Sequence, residues 1–487
     1  MDFKLGLEDI LRVAPLIILF LTSLIPITIK VSRGNKEPNS LVALSIGVVG
    51  VTISAMLLWI FAGHGQTAFS KALIFDGLTF WVGSSALIVT IGALLLAYES
   101  PSTNKSLFSE YVFLLLSSSL GMLILISALD LLVVFIGLEI MSLSLYLLIA
   151  MGNEEKLSKE SSFKYFLLGS FASAVLLYGI AFVYGTAGTT YTSDIVDKVP
   201  DLIISSRLFL IGIALIIIGF CFKVSIVPFH AWTPDVYHGA PTPLSSYMST
   251  AVKLGSMAAF LRFVSIKSLG YSENLLDMVQ WLAVITMIIG NVAAIRQESV
   301  KRMLAYSSIA HSGYLLVGVL STSISSQGSF AATGVIFYLI SYAIMTFGAF
   351  AVVNIFETSE NTQLTIDDMA GFSKRRPILA FCLTLFLLSL AGVPPTVGFF
   401  GKFYLFSAAL SEGRLWAVLW GVINSVISVY YYLRPIVLMY MHDNLKEEDS
   451  ERSIPATEIA IVFTMILVIG LGFFSDYLFR AVESSLL

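Results

Sequence analysis

The chain has 487 residues, 57% of them hydrophobic and only 12% charged, with a formal net charge of −4. Soluble domains carry about 25% charged residues, so a soluble globular protein is excluded, and the small net charge offers nothing to a nucleic acid. Cys221 and Cys382 lie far apart in apolar runs with no second Cys or His at ligand spacing, which argues against a disulfide, a zinc site or an iron–sulfur cluster.

A helix needs about 20 apolar residues to cross a bilayer. The pattern predicts fourteen spans, near 10–30, 41–62, 77–98, 109–127, 130–150, 162–185, 207–227, 242–264, 276–295, 303–321, 329–356, 377–411, 413–441 and 457–478. The first follows Lys4 and Arg12 as a signal peptide would, but lacks a small-residue cleavage site and is read as a span. Connections are short. The longest polar one, 442–456, contains KEEDSER and reads as a solvated loop, too short for a folded domain. Lysines and arginines favour the loops after odd-numbered spans, fifteen against nine when Lys4, Lys267, Lys301, Lys446 and Arg452 are counted with the rest. That bias places the odd loops in the cytoplasm and both termini outside.

SLYLLIA at 144–150 resembles SGYLLVG at 312–318, and spans 7 and 12 are each broken by proline, at 227–228 and 393–395. The expected grouping is 1–108 (spans 1–3), 109–266 (spans 4–8), 267–441 (spans 9–13) and 442–487 (loop and span 14). A five-span unit, being odd, inverts its second copy, and inverted repeats with broken helices are a common transporter architecture. The fold class expected is an all-α polytopic membrane protein with two inverted five-helix repeats and discontinuous helices 7 and 12.

Four ionisable residues, Glu139, Lys223, Lys253 and Lys402, sit inside these apolar runs. A charge at the bilayer centre costs roughly 2.5–3.5 kcal/mol on insertion scales, so four of them mark a polar route rather than chance. Glu139 lies mid-span, too deep to snorkel. Lys223 precedes Pro228 and Lys402 follows Pro394 and Pro395, both beside unwound backbone, which is tolerated in a membrane only within protein or along a wet cavity. For both, the simpler alternative is reach to the surface. Lys253 follows Ser245, Ser246, Ser249 and Thr250, whose hydroxyls hold water or serve close helix packing. His230 and His311 are secondary relay candidates, because histidine titrates near neutral pH, although a lone membrane histidine is more often a packing residue. Asp235 is expected to cap the short helix after the break and Asp130 to be interfacial. No Walker, dinucleotide, HExxH or nucleophile-elbow motif is present.

KYFLLGSFASAVLLYGIAFVYGTAGT (164–189), VPFHAWTPDVYHGAPTP (227–243), KRMLAYSSIAHSGYLLVGV (301–319) and AGVPPTVGFFGKFYLF (391–406) closely resemble the subunit N family of respiratory complex I, the proton-translocating NADH:quinone oxidoreductase. The resemblance implies an antiporter-like fold. It implies a charge pair of Glu139 and Lys223, a central relay at Lys253, and an outer lysine at Lys402, with His230 and His311 in the polar axis. The sister M type usually has glutamate at the position of Lys402. The L type carries a long lateral helix, whereas this sequence ends soon after its last span. The resemblance further implies no cofactor in this chain, with FMN, iron–sulfur clusters and quinone on partner subunits. Neighbours of the M and K types and a bacterial inner membrane are expected with it. The competing expectations are a stand-alone or Mrp-like cation/proton antiporter, a structural scaffold, and a quinone-binding enzyme. The VYHGAPTP stretch and the lack of paired intramembrane Asp residues weigh against the antiporter, and the cost of four buried charges weighs against a scaffold. Nothing in the sequence specifies a quinone head-group site.

Overall fold

The computed structural model describes residues 6–62, 65–153, 155–264, 272–324, 328–357, 364–443 and 454–486. The KEEDSER run and the orientation residues Lys4, Lys267, Lys446 and Arg452 lie outside them.

In hydrocarbon every backbone polar group needs an internal partner, so long apolar runs become helices. In chain order these are α1 (Ala14–Ser32), α2 (Ser40–Phe61), α3 (Gly77–Glu99), α4 (Phe108–Ser127), α5 (Leu131–Ala150) and α6 (Glu155–Ala187). An amphipathic α7 (Thr192–Ser205) leads into α8 (Arg207–Lys223), and α9 (Trp232–Gly239) follows a break. Thr242–Tyr247, a π-turn at Met248–Val252 and Lys253–Val264 follow without interruption as α10. Then come α11 (Glu273–Ile295), α12 (Val300–Ile324), α13 (Gly328–Phe356), α14 (Pro377–Ala391), α15 (Val397–Ser411), α16 (Leu415–Met441), α17 (Pro455–Phe473) and α18 (Ser475–Leu486). Eleven of the described helices are long and apolar enough to cross a membrane, and the chain is a multi-pass membrane protein. The interrupted elements fall short of that length test individually.

The two proline breaks lie where the sequence places them. Proline removes a donor and clashes one turn upstream, so the seventh predicted span stops at Lys223, four residues short of its expected end. Neighbours satisfy the freed backbone: the Thr286 hydroxyl of α11 accepts from Val227 N at 3.0 Å, and Trp232 Nε1 donates to the Phe222 carbonyl at 3.0 Å. The second break opens at Gly392, whose φ of +89° ends α14. A Cβ there would also sit 3.2 Å from the Lys402 side chain, so glycine is required twice over.

Loop contacts sort the helix ends into two faces. On one, Lys30 pairs with Glu37 and Glu110, Asn153 N donates to Ser102 O, and Glu99 accepts from the first amides of α17. On the other, Arg262 forks onto both oxygens of Asp76 at 2.8 and 2.9 Å, and Trp81 donates to Ser485. A small hairpin, Gln66–Ala68 with Leu73–Phe75, decorates this second face and has no counterpart in the sequence reading.

α12 and α13 form the centre: 94% of the apolar window of each is buried, against 28% for α17. A helix apolar all round belongs inside, and these two carry most of the polar groups described below. Elsewhere small residues bring helices to backbone contact. A Cβ on Gly137 of α5 would fall 2.8 Å from Leu125 N and 2.9 Å from Gly121 O of α4. Gly137→Val is therefore expected to force the two helices apart at a cost of about 1–3 kcal/mol. A lowered thermal midpoint of the detergent-solubilised protein checks this; an unchanged midpoint would contradict the packing.

Candidate proton-conducting axis

Glu139 and Ser142 lie one turn apart on α5, and Lys223 ends α8 against them. Lys223 Nζ donates to Ser142 Oγ at 2.9 Å, and Ser142 in turn donates to the Leu138 carbonyl. Among the described residues no ion pair joins Lys223 to Glu139, although the two lie within Coulombic range. One carboxylate oxygen, Glu139 Oε1, is buried without a partner. Lys223 thus meets a hydroxyl where the resemblance implies a carboxylate partner.

Lys253 begins the turn after the π-turn of α10 and is buried. A π-turn displaces the register, and such turns gather at functional sites. Its ammonium donates to Ser308 O at 2.6 Å, to the Ser308 hydroxyl, and to Ser312 Oγ at 2.8 Å, and lies 5.1 Å from the centroid of Tyr342. Tyr342 donates to Ser308 Oγ at 2.9 Å. Ser308 and Ser312 are four residues apart on α12 and so share a face.

His311, on the same helix, bonds Tyr338 through Nδ1 at 2.6 Å and Tyr432 through Nε2 at 3.1 Å, and Tyr432 meets Ser307. It is buried and lies within Coulombic range of both Lys253 and Lys402.

Lys402, on α15, reaches back across the second break. It donates to the Leu390 and Ala391 carbonyls at 3.0 and 2.9 Å and to Ser425 Oγ at 2.8 Å. Those carbonyls end α14, where the helix dipole is negative and a cation is stabilised by about 0.3–1 kcal/mol. A cavity of about 440 Å³ opens beside it, lined also by Ser425, Phe399, Phe403 and Ser407. Surface reach, the simpler alternative for Lys223 and Lys402, does not describe either: each is only 5% exposed.

His230 stands apart. It lies half-buried in the first break with Nδ1 unpartnered, and among the described residues no hydrogen bond joins it to the lysines. Asp235 corrects its expectation: α9 begins after Ala231 with no side-chain cap, and Asp235 instead pairs with Lys164 at 3.0 Å and Arg302 at 2.8 Å. It sits a turn too late to reach the orphan amides. Asp130 caps α5, accepting from Leu132 N and Val133 N, and is buried at that helix end. Lys301, counted among the loop charges, is instead buried in a 2.7 Å ion pair with Glu357.

The sequence reading missed the hydroxyl partners Ser142, Ser308, Ser312 and Ser425 and the tyrosines 338, 342 and 432. The one available signal was i, i+4 spacing of Ser308 and Ser312 in YSSIAHSGY. It also missed a buried amide group in which Tyr431 donates to Asn291 Oδ1 at 2.9 Å and Asn291 Nδ2 meets Asn424 Oδ1 at 3.3 Å. No group of three His, Cys, Asp or Glu side chains among the described residues is placed to hold a metal ion.

Helices broken at two points, with buried lysines at the breaks and a hydroxyl-lined centre, define an antiporter-like membrane subunit. Residues 128–428 match the family described as NADH:quinone oxidoreductase/Mrp antiporter, TM. The chain is 56% identical over its whole length, and that of its relative, to NADH-quinone oxidoreductase subunit N of Bdellovibrio bacteriovorus. It is 40% identical to subunit N of Trichlorobacter lovleyi, covering 90% of this chain and 88% of that one. A chain of respiratory complex I from Thermus thermophilus superposes with a TM-score of 0.82 at 28% identity, over 96% of this chain and 99% of that chain. A chain of the Mrp complex from a Dietzia species shares the fold, with a TM-score of 0.83 at 19% identity over 99% and 97% of the two chains. The chain belongs to the subunit N family of NADH-quinone oxidoreductases.

Proposed function

We propose that this chain carries protons across the membrane as the N subunit of a complex I membrane arm, beside M- and K-type neighbours. The energy comes from electron transfer between NADH and quinone on partner subunits that hold FMN and iron–sulfur clusters; the chain itself holds none of these groups. Glu139, Lys223, Lys253 and Lys402 exchange the protons, with His311 between the last two and His230 in a lesser role. The expected count of fourteen spans follows if α8 with α9, and α14 with α15, each make one crossing. The inverted units are then α4–α10 and α11–α16. The face bearing Lys30, Lys105, Arg296 and Lys374 is cytoplasmic by the positive-inside bias, both termini are periplasmic, and the membrane is a bacterial inner membrane.

One observation carries this reading. Among the described residues, Lys223, Lys253 and Lys402 are held by hydroxyls and carbonyls and by no carboxylate. A carboxylate in contact would lock the ammonium in place. A serine hydroxyl donates as readily as it accepts, so it serves a neutral amine as well as a charged one. Each lysine site therefore accommodates both states of a proton carrier. Opening and closing of Glu139–Lys223 supplies the drive: two unit charges about 10 Å apart interact by roughly 1.7 kcal/mol at an effective dielectric of about 20. That is more than a tenfold change in proton occupancy at the next site. No protein hydrogen bond links Lys223 to Lys253 among the described residues, and that step falls to water.

The tagged chain, solubilised mildly from its own membranes, is expected to migrate on a native gel in a large band that stains for NADH dehydrogenase. Within that band Lys402→Ala is expected to lower protons pumped per electron. Migration near its own mass without stain would overturn membership of the complex and favour the Mrp-like antiporter. Normal pumping by Lys402→Ala would overturn the proposed axis.

A further inference from the structure

Away from the lysines just described, a buried polar cluster lies at the lysine-rich face. Lys301, at the start of α12, and Glu357, just past α13, pair at 2.7 Å with side chains 3% and 0% exposed. Thr242, at the start of α10, donates to the same carboxylate oxygen, Glu357 Oε1, and Lys301 also reaches the Ala240 carbonyl at 3.3 Å. The other oxygen, Glu357 Oε2, is buried without a partner. Isolated structural ion pairs deep in a protein gain little over apolar replacements, so stability alone does not account for this one.

The orphan oxygen is one of fourteen such side-chain atoms among the described residues, and three others sit on neighbouring helices. Thr346 Oγ1 and Asn354 Oδ1 of α13 and Ser246 Oγ of α10 are also buried and unpartnered. They lie on the two helices that lead from this cluster to Lys253. On α13, Thr346 falls about 40° and Asn354 about 120° of arc from Tyr342 at 3.6 residues per turn, and the fifteen residues from Tyr342 to Glu357, just past the helix end, rise about 22 Å. Tyr342 bonds Ser308, which holds Lys253. On α10, Thr242 and Ser246 are four apart and share a face. Buried polar atoms are almost always paired, and water is the partner where no protein group serves. Besides Glu357 Oε2, three unpartnered atoms lie on the two helices between the carboxylate and the central lysine, where water would serve as the partner. Outside the pair, a small cavity of about 10 Å³ touches Lys301, His238, Asn153 and Ser158, close to the space one water needs.

We propose that Glu357 is the group through which protons are taken up from the lysine-rich face, with Lys301 as its gate. A proton from water at the outer cavity, which Lys301 lines and Glu357 does not, passes inward to the free oxygen of Glu357. Neutralising the carboxylate releases Lys301, and the proton passes along waters between these helices to the neutral amine of Lys253. Glu357 is then a carboxylate again and recaptures Lys301. This rests on the proposed role of Lys253, and the experiment separates the two. Proton pumping is read by dye quenching in inside-out vesicles holding the whole complex, with assembly followed on native gels.

Glu357→Gln is expected to lower pumping by on the order of 10²-fold in assembled complex, the lower end of the range for losing a positioned proton carrier. Glu357→Asp, which keeps the carboxylate, restores most of it. The decisive variant is Lys301→Met with Glu357→Gln, which removes both charges. A structural pair replaced by neutral groups regains function, whereas a lost proton carrier stays lost. Persistent deficiency of an assembled double variant supports the proposal, even should Glu357→Gln alone fail to assemble. Normal pumping by Glu357→Gln, or recovery in the double variant, overturns it. Normal pumping by Lys253→Ala in the same vesicles would instead bring down the axis on which the proposal depends.

Discussion

Lys253→Ala is expected to lower proton pumping by on the order of 10²-fold while leaving the assembled, NADH-active band on a native gel, since losing a positioned proton-transfer group costs about 10²–10⁴-fold. Lys253 has three acceptors from one partner helix, and His311 lies within Coulombic range of both it and Lys402. Removing it separates the two ends of the route. The more telling variant is Lys253→Arg. It keeps the positive charge and reaches the same serines, but a guanidinium does not give up its proton in a protein. If the lysine merely sets a field, arginine serves; if it carries protons, arginine fails as alanine does. Pumped protons per electron in vesicles decide it, and wild-type ratios in both variants would refute the relay.

Glu139→Gln is expected to slow pumping by about tenfold with little loss of assembly. The amide keeps the shape and removes only the charge, and about 1.4 kcal/mol of lost interaction corresponds to that factor. Glu139 Oε1 has no partner to lose in the present arrangement, and Lys223 is held by Ser142 rather than by the carboxylate. The substitution therefore strikes the closed form of the pair, which Lys223 reaches by leaving the hydroxyl. Glu139→Asp, retaining the charge on a shorter arm, is expected to fall between the two. Turnover and pumping measured in the same vesicles check the result; equal pumping by Gln and wild type would show that the Glu139 charge drives nothing.

The positions of the four intramembrane charges were legible in the sequence because hydrocarbon makes them expensive. A charge in twenty apolar residues needs no structure to be noticed. The two breaks were legible for a similar reason: Pro228 and the Pro394–Pro395 pair cannot continue a helix. Asp235 shows where such reasoning stops. Its place after Trp-Thr-Pro looks like a cap, yet it binds Lys164, seventy-one residues earlier, and Arg302, sixty-seven later. Lys301 shows the same limit from the other side. At the edge of an apolar run it looks like a loop charge, and only the return of α13 brings Glu357 over it. His230 and His311 are indistinguishable as lone histidines in apolar surroundings, but one meets two tyrosines and the other leaves Nδ1 unpartnered.

By itself, then, the sequence determined that this is a polytopic helical membrane protein, where its helices break, and which charges sit among them. Those properties follow from hydrophobicity and from local backbone chemistry, which act on each segment separately. Only the tertiary structure decided what each charge touches. The turning of Lys223 onto Ser142, the serine cradle of Lys253, the carbonyl cap on Lys402 and the burial of Lys301 with Glu357 all join residues far apart in the chain. Helix packing sets such meetings by shape, through small residues and interlocking side chains, and no local pattern records which faces come together.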